Sequence, residues 1–146
     1  MYSQTFDPVR YQGTWHEIAR YPVQYEASCT NASADYIYDS VKKCIYVTNV
    51  CYCDNIVADI KQGIATETNV AGILSLTFGN VISQYIVLQT DYVNYALVGT
   101  EGRTAFWILC RKPTMTQSLY NDCVRSMLLH CYDPAKLNLN RNTIQN

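Results

Sequence analysis

The sequence predicts an all-β fold: an eight-stranded antiparallel up-and-down barrel followed by one C-terminal α-helix and a short final strand. Three observations carry this. Thirteen tyrosines stand against three phenylalanines, and aromatic residues with a polar tip suit a pleated surface that is half buried. From Trp15 to about Arg111, short strand-like runs alternate with turn residues, at the spacing of an all-β sandwich or barrel. After Arg111 the apolar period changes to three and four residues, which marks a helix.

The first run is Thr14 to Tyr21. Ala34 to Tyr38 and Cys44 to Val50 follow on either side of a polar turn at Asp39 to Lys43, and read as a hairpin. Ile56 to Thr66, Gly72 to Phe78, Gln84 to Gln89, Tyr95 to Val98 and Thr104 to Cys110 complete the eight, with turns at Asp91 to Asn94 and Gly99 to Gly102. Pro113 with Thr114 or Thr116 then supplies a helix start. Leu119, Tyr120, Cys123, Val124, Met127, Leu128 and Cys131 form one amphipathic stripe, giving a helix at about 115–131 that Asp133-Pro134 ends. Leu137 to Asn140 alternates like a last short strand. A meander of eight strands loses its exposed edges by closing on itself, which leaves room for one small ligand. A filled barrel or sandwich without a pocket has the same periodicity.

The length of 146 residues fits one domain over 1–146. Hydrophobic residues make up 49%, charged residues 16%, and the net charge is -1 without a Lys/Arg cluster. That balance offers no footprint for nucleic acid or an anionic bilayer. No apolar run approaches the ~20 residues of a membrane-spanning helix, and no charged segment with an apolar continuation opens the chain, so a leader either was removed or never existed. Seven cysteines favour an extracellular or extracytoplasmic location over a cytosolic one. The odd number leaves at least one thiol free or paired to another molecule. The sequon Asn31-Ala32-Ser33 is compatible with export.

Gly13-x-Trp15, with Phe6 and Pro8 before it, resembles the first signature of the lipocalin family. Thr90-Asp91-Tyr92-x-Asn94-Tyr95-Ala96-Leu97-Val98 is similar to the second, and Trp107-Ile108-Leu109-Cys110-Arg111 to the third. From residue 6 to about 140 the chain resembles the group that includes apolipoprotein D and bacterial lipocalin. The resemblance implies the lipocalin (calycin) barrel, and with it binding and transport of a small hydrophobic ligand: a fatty acid, lysophospholipid, retinoid or pigment-like molecule. Gly13, Trp15 and Arg111 are expected to form a structural plug in which a guanidinium stacks on an indole at the closed end. The sequence departs from the family at Cys110, where Ser or Ala is usual, and at Cys51 and Cys53.

Alternation fixes which side chains face the lumen once one residue per strand is anchored. Trp15 places Glu17 and Ala19 inward, and Arg111 places Leu109 and Trp107 inward. The resemblance implies Tyr36, Asn49, Phe78 and Tyr85 as pocket-lining, and parity adds Val47, Leu74, Leu76 and Val87. The payload expected for such a pocket is elongated and mostly apolar. A buried Glu17 is expected either to bond internally or to meet a ligand head group.

Counting from the Asp39–Lys43 turn, Cys29 falls near Cys53 or Cys51, and a Cys29–Cys53 bridge is the working expectation. Cys110 points outward toward the helix carrying Cys123, either bridging to it or filling core. No metal or cofactor is expected: Cys51-x-Cys53 lacks a partner pair, and His130-Cys131 stands alone. His16 is expected at the surface. Partners are thus a small hydrophobic molecule, with no nucleic acid and no integral membrane segment, and the chain is expected to be a monomer or weak dimer. One alternative stays open, a thiol-dependent lipid isomerase that uses Cys51 or Cys53 from the lumen.

Overall fold

The protein is described by a computed structural model covering residues 5–22 and 29–145. Eight strands pair with their sequence neighbours: β1 (Gly13–Arg20), β2 (Asn31–Asp39), β3 (Cys44–Cys53), β4 (Ile56–Glu67), β5 (Ile73–Phe78), β6 (Val81–Thr90), β7 (Tyr95–Gly99) and β8 (Phe106–Cys110). Pairing of β1 with β8 closes the sheet into a barrel. Asp39 makes the hairpin between β2 and β3 by accepting at Oδ1 from the backbone amides of Val41 and Lys42, the usual way an aspartate sets a turn. The ladder then runs from Asp39 opposite Cys44 to Asn31 opposite Tyr52.

A single helical turn, α1 (Pro8–Tyr11), precedes the barrel, capped by Asp7 with Pro8 at its first position. The run Asp7-Pro8 is a helix-start pattern that the strand reading passed over. Beyond the barrel come β9 (Met115–Thr116), α2 (Gln117–Leu129), β10 (Asn138–Leu139) and β11 (Ile144–Gln145). The β10 strand pairs with Ala19 and Arg20 of β1, while β9 and β11 form a small parallel pair whose register no local pattern announces.

The expected helix at 115–131 is shorter at both ends. Thr116 is its N-cap, accepting from the amide of Leu119, and Cys131 takes a left-handed backbone with φ of 67° just past the last turn. Asp133-Pro134 does not terminate α2 but opens a separate 3-10 turn, with Asp133 capping Ala135. The stripe is narrower too: Cys123 and Met127 are buried, whereas Leu128 and Cys131 are exposed.

Two cores result, one on each side of the sheet. Tyr11, Trp15, Tyr36, Ile45, Val47, Leu74, Tyr85, Val87 and Val98 fill the lower lumen. Ile18, Leu97, Phe106, Ile108, Cys110, Met115, Cys123 and Met127 form the outer core under α2. Ala19 belongs to this outer core, which corrects its expected place in the lumen. The register between β1 and β8 shifts between Glu17 and Ala19, so Ile18 and Ala19 are both wholly buried on the helix side. A bulge of this kind breaks the alternation on which the expectation rested.

Candidate functional site

The closed end of the barrel sets the floor of everything above it. The guanidinium of Arg111 lies over the Trp15 indole, 3.8 Å from carbon to ring centre. Its Nε donates to the carbonyl of Tyr92, Nη1 to that of Thr14 and Nη2 to that of Arg10. One cation thus ties α1, β1 and the β6–β7 turn together. Gly13 sits at φ of +103°, and a Cβ there would stand 3.1 Å from Arg111 Nη1. Backbone conformation and space both call for glycine.

The β6–β7 turn is organised by Asp91, whose Oδ1 accepts from the amides of Val93, Asn94 and Tyr95. Burial alone would raise its pKa, but those amides and the Asn94 side chain hold the carboxyl below its ordinary value.

Above the floor lies a cavity of about 90 Å³, open at one end. Its wall carries Glu17, Tyr36, Val47, Asn49, Leu76, Phe78, Tyr85, Trp107 and Leu109, with Trp15 at the base. Leu74 and Val87 do not reach it; both pack in the lumen core, Leu74 paired to Tyr85 and Val87 to Val98 in the ladders. Both keep the lumen side expected from parity, but in the close-packed core rather than on the open cavity. Ala32, Ala34, Cys51, Asp59, Lys61 and Val98 also line the cavity. Parity from Tyr36 reaches Ala34 and Ala32, and parity from Asn49 reaches Cys51, so these were readable. Asp59 and Lys61 lie on β4, where no anchored residue set the parity. Gly63 is part of the same wall geometry: a Cβ there would meet the Phe78 ring at 2.6 Å, so the missing side chain is what lets Phe78 fold inward.

Three tyrosine hydroxyls meet at the base of the cavity. Tyr85 is the centre, 2.6 Å from the Tyr11 hydroxyl and 3.0 Å from that of Tyr36. Tyr11 comes from α1 and was missed by sequence reasoning, since nothing before the barrel was read as structured. Burial pushes all three hydroxyls up, Tyr36 to about 12 and the other two well above their ordinary value, so they stay protonated donors.

Glu17 is buried and bonded inside the protein. Arg20 Nη1 donates to Glu17 Oε1 at 3.2 Å and to Asn140 Oδ1 at 2.7 Å, while Asn140 Nδ2 donates to the Glu17 carbonyl and to Oε1. The segment after α2 therefore supplies the partner for a carboxylate on the barrel wall.

Cys29 is bridged to Cys51, not to Cys53, with Cα atoms 5.5 Å apart. A straight continuation of the β2–β3 ladder past Asn31 and Tyr52 would carry Cys29 toward residue 54 and leave Cys53 the nearer partner. The chain bends at Thr30, whose amide and hydroxyl both donate to the carbonyl of Tyr52, and Cys29 beyond the bend reaches Cys51. Cys53 is exposed and Cys44 buried, both as thiols. Cys110 and Cys123 are buried free thiols in the outer core, and burial lifts the Cys123 thiol to about 12. His16 is half-buried at the outer face. The side-chain amide of the sequon residue Asn31 donates to the carbonyl of Arg141. Among the described residues, no group of His, Cys, Asp and Glu is arranged to hold a metal ion, and no helix is long and apolar enough to cross a membrane.

Residues 6–142 match the family model described as a lipocalin-like domain. The chain is 34% identical over 142 residues to a protein of Acanthamoeba polyphaga mimivirus that is named as a lipocalin, covering 91% of this chain and 83% of that one. It is 27% identical over 135 residues to the outer membrane lipoprotein Blc of Escherichia coli, covering 90% of this chain and 76% of the other. Among solved structures, insecticyanin of the tobacco hornworm Manduca sexta superposes with a TM-score of 0.74 at 24% identity, over 96% of this chain and 84% of its own. That last likeness is one of fold.

Proposed function

The chain belongs to the lipocalin family, whose members bind small hydrophobic ligands such as pigments and lipids, and from this premise we propose that it carries a slender, mostly apolar molecule in the barrel cavity. The observation that carries the reading is the cavity itself: an open slot lined by Tyr36, Val47, Leu76, Phe78, Tyr85, Trp107 and Leu109 above a sealed floor. Apolar walls with a few fixed polar groups are the makeup of a small-molecule site. Each methylene buried there is worth roughly 0.8 kcal/mol before ordering costs.

Glu17 has no part in this reading as a ligand contact, because Arg20 and Asn140 already engage it. The lipid isomerase alternative is disfavoured by the same geometry. It needs a thiol facing the lumen, and the cysteine on the wall, Cys51, is tied to Cys29 while Cys53 is exposed. The bridge, together with a relative named as an outer membrane lipoprotein, supports an extracytoplasmic place of action.

The test is a fluorescence titration with a fatty acid, a retinoid and a lysophospholipid, following Trp107 on the cavity wall. A saturable change at micromolar ligand that disappears in Trp107→Phe is expected. Absence of any response to all three, with an empty native mass spectrum of the purified protein, would overturn the carrier reading. Cys51→Ser with Cys53→Ser is expected to leave binding intact.

A further inference from the structure

The floor of the cavity has a donor proton left over, and its position bears on what the ligand carries at its leading end. The hydroxyls of Tyr11, Tyr85 and Tyr36 hold three protons, but only two contacts join them, at 2.6 and 3.0 Å. Whichever way those bonds point, one proton is unused among the described residues. Tyr11 is wholly buried, and among the described residues Tyr85 is the one partner of its hydroxyl. If Tyr11 kept the unused proton, a donor would be stranded in the core, at a cost that the other arrangements avoid. Tyr11 therefore donates to Tyr85, and the spare proton belongs to Tyr85 or Tyr36. Both of these line the cavity and both are more than nine-tenths buried.

We propose that this hydroxyl pair forms a subsite for an uncharged hydrogen-bond acceptor, the carbonyl oxygen of a ketone, aldehyde or ester, at the inner end of an elongated apolar ligand. The inference rests on the carrier reading and refines it. A neutral acceptor fits better than a carboxylate. Glu17 lies on the same wall and its charge already bears on Tyr36. Arg20 is engaged with Glu17 and Asn140, and Arg111 with three backbone carbonyls behind the Trp15 ring, while Lys61 lines the wall from β4, opposite Asn49. A carboxylate brought to the floor would lose its water and meet there the neutral hydroxyls of Tyr36 and Tyr85.

Three probes of equal chain length separate the possibilities: a methyl ketone, the corresponding alkane and the corresponding fatty acid, each titrated against Trp107 emission. The ketone is expected to bind about tenfold tighter than the alkane, the worth of one buried hydrogen bond, and tighter than the acid. The triple variant Tyr11→Phe, Tyr36→Phe, Tyr85→Phe removes the donors without orphaning any of them. It is expected to abolish the ketone's advantage over the alkane. Infrared spectroscopy of a carbon-13-labelled ketone on the native chain needs no variant: the carbonyl stretch is expected to move to the lower frequency of a hydrogen-bonded group. Equal binding of ketone and alkane, tighter binding of the acid, a persistent ketone preference in the triple variant, or an unshifted stretch would each overturn the subsite alone. Failure of all three probes to bind would count against the carrier reading itself.

Discussion

The Arg111 guanidinium stacks on the Trp15 indole at 3.8 Å while its nitrogens satisfy three backbone carbonyls from separate parts of the chain. Replacing Arg111 by alanine is expected to cost about 3 kcal/mol, combining a desolvated cation–π contact with carbonyls left unsatisfied. Lysine should recover less than half, because an ammonium cannot reproduce the planar fork. Urea denaturation of the two variants measures both values. A lysine variant as stable as the native chain would show that charge alone matters.

Gly13 is the companion of that contact. With φ of +103° and Arg111 Nη1 3.1 Å from where a Cβ would stand, Gly13→Ala is expected to lose about 1–2 kcal/mol through backbone strain and crowding together. The loss should shrink in a background that already carries Arg111→Ala, because the crowding is gone while the strain remains. A double-mutant cycle reads this coupling. Full additivity would mean that the guanidinium contributes nothing to the choice of glycine.

The Cys29–Cys51 bridge closes a loop with a sequence separation of 22. The chain-entropy estimate for such a loop is roughly 3 kcal/mol, so Cys29→Ser or Cys51→Ser should lower the unfolding free energy by about that amount, as should reduction. Cys53→Ser is expected to change it by less than about 0.5 kcal/mol, as for other exposed positions. Non-reducing peptide mapping gives the same answer independently: a Cys29–Cys53 peptide would contradict the pairing described.

How far the sequence speaks depends on where alternation holds. On β8, strict parity from Arg111 put Leu109 and Trp107 on the cavity wall, and on β3 the step from Asn49, itself implied by the family resemblance, did the same for Val47. The hairpin turn at Asp39 was legible because the aspartate makes the turn by itself. On β1 the same rule carried Glu17 correctly and failed one step later at Ala19, where the bulge intervenes. A bulge answers to packing against β8, β10 and the outer core, which are far away in sequence. The bridge was misassigned for a related reason, since the bend at Thr30 is set by hydrogen bonds to Tyr52. Tyr11 was invisible as a site residue because its hydroxyl matters only once α1 folds beneath the barrel and meets Tyr85.

The three floor tyrosines also set the response to alkali. Burial raises the hydroxyls of Tyr11, Tyr36 and Tyr85 above the ordinary value of 10.0, Tyr36 to about 12. In the unfolded chain these groups lose their protons near 10, whereas in the folded barrel they keep them. Between those values the unfolded state is the one that releases protons, so stability is fully present below pH 10 and falls as pH rises. For Tyr36 alone the loss by pH 12 is roughly 2 kcal/mol. Tyrosinate absorbance should therefore rise in two stages, the exposed tyrosines first and the buried ones together with unfolding. In the triple phenylalanine variant the second stage should shrink and the alkaline fall in unfolding free energy should flatten. Ionisation of all thirteen tyrosines in one step, with the barrel's circular dichroism intact, would contradict the buried hydroxyl chain.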